Sequence, residues 1–192
     1  MKKISGFKVY QTNKDTTELC LLAQKYKADK FGKHNYTPYY YDLFKDRKDS
    51  VKKVVEIGTG EGASLFMWHE FFPNAKIYGA DIDPDRVSQK DLKKFPRITI
   101  HECDQRSERD MVELIKNVGT DIDLFLDDGS HKPEDQLYTC LFMMPMLSPE
   151  SIYIIEDVAD LSVAEKIEDY FVEVIKFSKR YDDQIIVVKH HD

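Results

Sequence analysis

The chain has 192 residues, a hydrophobic content of 42% and a formal net charge of -7, which suits one acidic domain with a substantial core. The acidic balance argues against a nucleic acid as a partner, because phosphate binding needs a basic surface. The N-terminal residues M-K-K-I-S-G-F-K lack the apolar run of a signal peptide, and the longest apolar run of the chain is about half a membrane span. Cys20, Cys103 and Cys140 are odd in number and widely spaced, so we expect reduced thiols in a soluble, cytoplasmic protein.

Residues 1–50 are predicted to form helices at Thr16–Tyr26 and about Pro38–Arg47 around a polar loop. From residue 51 onward, short runs rich in β-branched and aromatic residues alternate with helix-like stretches. The predicted strands lie at 51–57, 75–80, 97–100, 123–126 and 151–155, followed by a final pair at 173–180 and 184–189. The final pair follows without a helix between its members, so we expect an antiparallel hairpin there.

Helical spacing of apolar residues occurs between these strands, for example over 65–72 and 111–118. Pro84 and Pro133 stand where the first turn of a helix accepts proline. Alternating strands and helices predict a Rossmann-like, doubly wound α/β sheet of seven strands with the last strand antiparallel. Residues 51–192 would form the catalytic unit, and residues 1–50 would form helices and a loop that covers the ligands.

A glycine-rich loop follows the first of these strands. Gly58, Gly60 and Gly62 allow a sharp turn and a close approach to a ligand, and the next helix offers its positive N-terminus. Asp81 follows the next strand, where a ribose could be bound. The pattern alone also fits a dinucleotide such as NAD.

Two acids favour S-adenosylmethionine over a dinucleotide. Glu56 lies two residues before the first glycine, where a cationic methionine group is favoured and a pyrophosphate would be repelled. Asp104 follows the strand at 97–100, where an adenine edge would be read. Each acid has an alternative role as a helix cap. Glu56 could cap the helix after the glycine loop, and Asp104 could cap the helix at 106–117. The predicted cofactor-binding residues are Glu56, Gly58, Gly60, Gly62, Ser64, Asp81, Asp104, Gln105 and Asp127.

The stretch F-L-D-D-G-S-H places two acids and a histidine at the end of a buried strand. Asp127 and Asp128 end this strand and Glu156-Asp157 end the next. Adjacent strands lie about 4.8 Å apart, so these carboxylates should converge at one sheet edge. Converging carboxylates require protons or a divalent cation, and oxygen ligands suit Mg²⁺ or Mn²⁺. His131 is then placed to remove a proton from a substrate hydroxyl. Ordinary turn chemistry is the alternative for each motif.

Several motifs resemble those of class I methyltransferases that act on sugar hydroxyls with magnesium, such as the macrolide-sugar O-methyltransferases of mycinamicin biosynthesis. They are E-I-G-T-G-E-G-A-S-L, F-L-D-D-G-S-H, I-I-E-D and, upstream, D-K-F-G-K-H-N-Y-T-P-Y-Y (Asp29–Tyr40). The resemblance implies S-adenosylmethionine as methyl donor, a sugar or glycan acceptor such as rhamnose, and His131 as the base. It further implies metal ligands at Asp128, Glu156 and Asp157, and substrate contacts at Lys30, His34, Tyr36 and Tyr40.

Two features depart from the pattern of that group. Lys27-Ala28 replaces the usual Gly-Thr, and the chain is shorter than the macrolide enzymes. The shortness leaves little room for a lid over the substrate or for an extra oligomerisation domain, and it suits an enzyme that modifies a sugar on a larger glycan or a module from a longer polypeptide. A homo-oligomer is a further open alternative. The competing interpretations are a catechol-type O-methyltransferase, a cephalosporin-hydroxylase-like enzyme and a non-enzymatic cofactor-binding subunit. The presence of all the acids and of the histidine argues against a non-enzymatic subunit.

Overall fold

One mixed β-sheet forms the centre of the computed structural model, which describes residues 5–10, 16–177 and 180–191. The strands are β1 Gly6–Val9, β2 Lys53–Ile57, β3 Lys76–Asp81, β4 Ile98–Glu102, β5 Leu124–Asp127, β6 Ile152–Ile155, β7 Phe171–Lys176 and β8 Gln184–Lys189. The helices are α1 Glu18–Tyr26, α2 Thr37–Phe44, α3 Ala63–Phe71, α4 Gln89–Leu92, α5 Glu108–Val118, α6 Pro133–Met143 and α7 Ser162–Lys166. Short 3-10 turns lie at Pro84–Arg86 and Met144–Met146.

The strand order in the sheet is β1-β7-β8-β6-β5-β2-β3-β4. β8 runs antiparallel to both β6 and β7, while the other pairings are parallel, which confirms the predicted reversed last strand. Residues 178–179 of the predicted final hairpin lie outside the described residues. The predicted architecture is therefore correct, with one difference in the strand count.

The described sheet has eight strands rather than seven, because β1 adds an edge strand that the sequence did not predict. β1 is only four residues long and pairs in parallel with β7, with Gly6 opposite Glu173. A run this short carries almost no periodicity, and its partner comes from the opposite end of the chain. Residues 1–4 and 11–15 of the predicted N-terminal region lie outside the described residues.

Successive side chains along the central strands enter two different hydrophobic layers. Leu124 and Leu126 pack with the helices α1 to α3, whereas Phe125 between them packs with α5 to α7. This is the alternation expected of a sheet covered by helices on both faces. The N-terminal helices share the first of these layers with the sheet, through buried residues such as Leu19 and Phe44.

The chain reverses its direction of winding across the sheet at β2, which lies between β3 and β5. In open α/β sheets ligands bind at such a switch point, beyond the carboxyl ends of the strands. The glycine loop after β2 and the acidic turns after β5 and β6 are therefore brought to one edge. Among the described residues, no helix combines the length and the hydropathy needed to cross a membrane.

Candidate active site

The glycine loop passes directly against the turn that follows β5. Gly58 has a φ of 84°, and a Cβ atom built on it would lie 2.0 Å from the backbone oxygen of Asp128. Any side chain at this position would force the two loops apart. Gly62, with a φ of 85°, is the N-cap of α3. The predicted sharp turn is present, and the close approach seen at Gly58 is to the acidic turn of the protein itself.

Asp81 lies at the carboxyl end of β3 and anchors this loop. Its Oδ2 accepts from the backbone N–H of Gly60 at 3.0 Å, and its Oδ1 accepts from that of Asp83 at 2.9 Å. Asp104 lies beyond β4, where its carboxylate accepts three hydrogen bonds from Arg106, at 2.8 to 3.0 Å. These hydrogen bonds lower the pKa of Asp104 and keep it ionised. Helix α5 is capped instead by Ser107, so the alternative of Asp104 as its N-cap is not observed.

One cavity of about 660 Å³ connects the glycine loop to the acidic turn. This volume lies within the range of small-ligand and cofactor sites. Its lining includes Gly58, Gly60, Ser64, Asp81, Asp104, Gln105, Asp128 and His131. The structure therefore brings most of the predicted cofactor residues and the predicted base to one surface.

Glu56 differs from this group because it does not line the cavity. It is completely buried, and its carboxylate accepts from Ser64 Oγ at 2.5 Å and from Trp68 Nε1 at 2.7 Å. Burial raises the pKa of Glu56, against the opposing effects of Lys30 and these two donors. The geometry thus places Glu56 behind the cofactor loop, where it fixes α3, rather than at the predicted contact with a methionine group.

A buried lysine joins the acids at the ends of three strands. Lys30 is 1% exposed, and its Nζ donates to Asp128 Oδ2 at 2.7 Å and to Glu156 Oε2. Glu56 Oε1 lies 3.7 Å from the same atom. Burial lowers the pKa of Lys30, but these three carboxylates outweigh it and raise the pKa well above its ordinary value. The cluster therefore contains a permanent internal cation.

Glu156 and Asp157, at the end of β6, each contact the segment before α2. Tyr40 donates its hydroxyl to Glu156 Oε1, so both oxygens of Glu156 have protein partners. Tyr36 donates to Asp157 Oδ1 at 2.7 Å, and His34 Nε2 lies 3.4 Å from Asp157 Oδ2. The four residues predicted to contact substrate thus lie behind the acids, and none of them lines the cavity: Lys30, His34, Tyr36 and Tyr40.

Asp127 points away from the cavity into the layer beneath α6. Its carboxylate accepts from Gln105 Nε2 at 3.1 Å, from the Tyr153 hydroxyl at 3.3 Å and from the Gly129 N–H at 3.4 Å. Burial raises the pKa of Asp127 to about 7, and these donors oppose the shift. Gln105 also accepts from Ser130 N–H at 2.7 Å, which fixes the turn. Asp127 and Gln105, both predicted to bind cofactor, therefore also hold the turn in place.

Asp128, His131 and Asp157 each present a ligand atom within 4.8 Å of the others. Two of these atoms come from carboxylates, and hard oxygen donors of this kind suit Mg²⁺ or Mn²⁺. Glu156, the third predicted ligand, is held by Lys30 and Tyr40, and His131 takes its place in this group. His131 and Asp157 both have left-handed backbones, with φ of 56° and 50°. Strain at non-glycine residues is common at functional sites.

Several supporting residues were not identified from the sequence. Tyr153 donates to Asp127, Asp135 accepts from the Ser130 hydroxyl at 2.7 Å, and Asp183 Oδ1 lies 3.4 Å from His34 Nδ1. Tyr153 lies inside β6 and Asp183 directly precedes β8, so from the sequence they resemble ordinary core and turn residues. The D-G-S turn followed by Pro133 and an acid two residues later was a usable signal for the Ser130–Asp135 contact.

Comparison with known proteins agrees with this geometry. A family model described as a methyltransferase domain matches residues 55–158, which is more than half of the chain. The 8-demethyl-8-alpha-L-rhamnosyl tetracenomycin-C 2'-O-methyltransferase of Streptomyces olivaceus is 32% identical over 151 residues, covering 75% of this chain and 38% of that protein. The mycinamicin VI 2''-O-methyltransferase of Micromonospora griseorubida is 33% identical over 149 residues, covering 73% and 36%.

A solved structure gives the same result. The MycE methyltransferase from the mycinamycin biosynthetic pathway, in complex with Mg and SAH, superposes with a TM-score of 0.65 at 32% identity, covering 74% of this chain and 38% of that one. The chain thus spans less than two fifths of the length of the relatives it matches. Its matched region contains the glycine loop, both acidic turns and His131. The chain belongs to this methyltransferase-domain family.

Proposed function

We propose that the protein transfers a methyl group from S-adenosylmethionine to a hydroxyl of a sugar, either a free or nucleotide-linked deoxysugar or one within a glycan. The observation that carries the proposal is the single cavity that joins the glycine loop and Asp81 to Asp128 and His131. Cofactor and acceptor would meet there. The similarity to enzymes named as sugar O-methyltransferases supports a sugar rather than a catechol as acceptor.

The cofactor would occupy the end of the cavity formed by the glycine loop. Backbone N–H groups and Asp81 would bind its ribose and methionine parts, and Asp104 lies where the adenine edge would be read. The sulfonium would then lie toward Asp128 and His131, which line the same cavity.

Two acids at the other end of the site fit a divalent cation. Asp128, which lines the cavity, and Asp157, which offers an oxygen within 4.8 Å of that of Asp128, would hold it. A bound Mg²⁺ or Mn²⁺ would lower the pKa of a nearby hydroxyl and fix its orientation. The MycE methyltransferase structure is described as a complex with Mg, which supports this assignment.

His131 is the residue we assign as general base. It is exposed at the cavity and follows the turn that carries Asp128. In the transfer, a new bond forms between the acceptor oxygen and the methyl carbon as the carbon–sulfur bond breaks. The hydroxyl proton passes to an imidazole nitrogen of His131, and the electron pair of the broken bond stays on sulfur.

The described cysteines support a reducing location. Cys20, Cys103 and Cys140 are buried free thiols, and burial raises the pKa of Cys103 to about 12, so this thiol stays protonated and unreactive. We place the protein in the cytoplasm on this basis. Labelling of the denatured, unreduced protein with a thiol reagent should modify all three cysteines, and a disulfide among them would contradict this placement.

The test is a methyl-transfer assay read by mass spectrometry. Purified protein is incubated with S-adenosylmethionine and a panel of rhamnosides, other deoxysugars, nucleotide sugars and catechols, with and without Mg²⁺. We expect a mass gain of one methyl group, replacing hydrogen, on a sugar and only with the metal. Methylation of catechols alone would replace the sugar assignment, and tight NAD binding in calorimetry would overturn the cofactor assignment.

A further inference from the structure

The segment from Lys30 to Tyr40, here called the donor segment, lies behind the acidic turns rather than at the cavity. Four of its polar side chains, Lys30, His34, Tyr36 and Tyr40, are each no more than 1% exposed. None of the four lines the cavity that joins the glycine loop to Asp128. Lys30, Tyr36 and Tyr40 donate hydrogen bonds to the acids of the β5 and β6 turns instead.

Two tyrosines of the donor segment each contact a different acid. Tyr36 donates to Asp157, and Tyr40 donates to Glu156. Their hydroxyls occupy one oxygen of each carboxylate, which fixes the rotation of the carboxylate group. The second oxygen of Asp157 faces His34 at 3.4 Å, a distance too long for a strong hydrogen bond.

The rings of both tyrosines are immobilised by aromatic neighbours. Tyr36 stacks on His34 with a centroid separation of 4.9 Å and packs against Phe177 at 5.1 Å. Tyr40 meets Trp68 edge-on at 5.3 Å. Because the rings cannot move freely, the hydroxyls present fixed donors to the acids. This is the arrangement of outer residues that orient metal ligands.

We propose that Tyr36 and Tyr40 are positioning residues for a divalent-cation site, Tyr36 by orienting Asp157 and Tyr40 by holding Glu156 and, through Lys30, Asp128, and that the donor segment does not read the acceptor sugar. The inference rests on the metal site of the proposed function. Tyr36 acts on Asp157 directly. Tyr40 acts on Glu156, which in turn holds the lysine that contacts Asp128.

The experiment compares three tyrosine-to-phenylalanine variants. Tyr36→Phe and Tyr40→Phe each remove one hydroxyl and keep the ring. Tyr39→Phe is the matched control, since Tyr39 packs in the same cluster and its hydroxyl makes no hydrogen bond within the part of the chain that the structure describes. Mn²⁺ affinity is measured by electron paramagnetic resonance and calorimetry without acceptor, and thermal unfolding is measured without metal.

We expect Tyr36→Phe and Tyr40→Phe to weaken Mn²⁺ binding by about 10-fold or more, the usual effect of losing an outer partner, while Tyr39→Phe stays within about 2-fold. The spectrum of bound Mn²⁺ should broaden or shift in the first two variants only. At saturating metal, the acceptor KM should match that of the parent protein. The temperatures of thermal unfolding show whether the loss of Mn²⁺ affinity occurs without a general loss of packing.

Two outcomes would overturn the inference while leaving the function intact. Unchanged Mn²⁺ affinity with a raised acceptor KM in Tyr36→Phe would show that the segment reads the sugar. Equal losses in all three variants, tracking thermal stability, would show that the tyrosines serve packing alone. If the parent protein binds no Mn²⁺, the metal site of the proposed function fails and the inference fails with it.

Discussion

The turns after β5 and β6 carry the same arrangement of acids with different partners. Each turn begins with an acid pair whose first member is completely or almost completely buried, Asp127 and Glu156. The second members, Asp128 and Asp157, keep side-chain exposures of 17% and 12% and offer atoms to one common point. In both turns, therefore, the first acid supports the structure and the second offers an oxygen to the proposed metal site.

The buried members differ in how their charge is accommodated. Asp127 receives only neutral donors, and burial raises its pKa to about 7. Glu156 receives the Lys30 ammonium as well as a tyrosine hydroxyl. Two unit charges about 4 Å apart repel by about 4 kcal/mol at an effective dielectric of 20. The Lys30 ammonium lies where three carboxylates meet and their mutual repulsion is largest. Asp127 has neutral donors only and is accommodated without a cationic partner.

The largest predicted effect comes from Asp128 and Asp157, the acids of the proposed metal site. Chelation by EDTA should reduce methyl transfer to background while S-adenosylmethionine still binds, because the metal contacts the acceptor end of the cavity alone. Mg²⁺ or Mn²⁺ should restore turnover. Asp128→Asn should lose metal affinity, measured by calorimetry. Asp127→Asn makes the same change one residue earlier and should keep the metal affinity within about 3-fold of the parent value. That is less than the loss of affinity usually seen when an outer partner of a metal site is removed.

Full activity in chelator, with the metal content shown to be nil, would refute this division of roles. Equal loss of metal affinity in the two variants would show that Asp127 and Asp128 do not have different roles. In that case the β5 turn acts as one unit, and the hydrogen bonds of Asp127 would matter as much as the exposed carboxylate of Asp128.

His131→Ala should lower kcat by about 10²–10⁴, the usual contribution of a general base. The histidine lies in the β5 turn and, like Asp157 in the β6 turn, has a left-handed backbone. Metal affinity decides between its two possible roles. A base leaves Mn²⁺ binding intact when removed, whereas a ligand takes the affinity and the activity down together.

Much of this fold was predictable because its strands are buried on both faces. Runs such as D-L-F-L and S-I-Y-I-I stand out as short apolar segments, and turn residues mark their ends. The reversed last strand was predictable because no helix separates β7 from β8. β1 was missed, since its four residues obtain their order from a partner at the far end of the chain.

The positions of the site were predictable, but the orientations of its side chains were not. Strand ends fix where Asp128, Glu156 and Asp157 lie, because parallel strands share an edge. The orientation of each acid depends on hydrogen-bond donors from distant segments. Lys30, for example, donates to Asp128 from a position 98 residues earlier in the sequence. Sequence spacing contains no such information, so Glu56 and the donor segment were expected at the ligands rather than behind them.

Lys30→Met should destabilise the metal-free protein by about 3–5 kcal/mol, since removing one partner of a buried ion pair leaves uncompensated charge. Urea denaturation without divalent ions measures this loss. Lys33→Met is the control, because Lys33 forms a half-exposed pair with Asp29 and a surface pair of this kind contributes about 1 kcal/mol or less. Equal stability of the two variants would mean that the acid cluster does not need its internal cation.

Asp127→Asn should have the smallest effect, a loss of about 1–3 kcal/mol in the free energy of unfolding, the cost of imperfectly paired buried hydrogen bonds. An asparagine keeps one carbonyl oxygen for Gln105 or the Gly129 N–H, but its amide faces the Tyr153 hydroxyl, which can rotate to accept from it. No charge is left without a partner, because all three donors around Asp127 are neutral. Urea denaturation at neutral pH, beside Lys30→Met, provides the comparison. A loss as large as that of the lysine variant would mean that Asp127 also depends on a buried charge, and the two turns would then be equivalent rather than different.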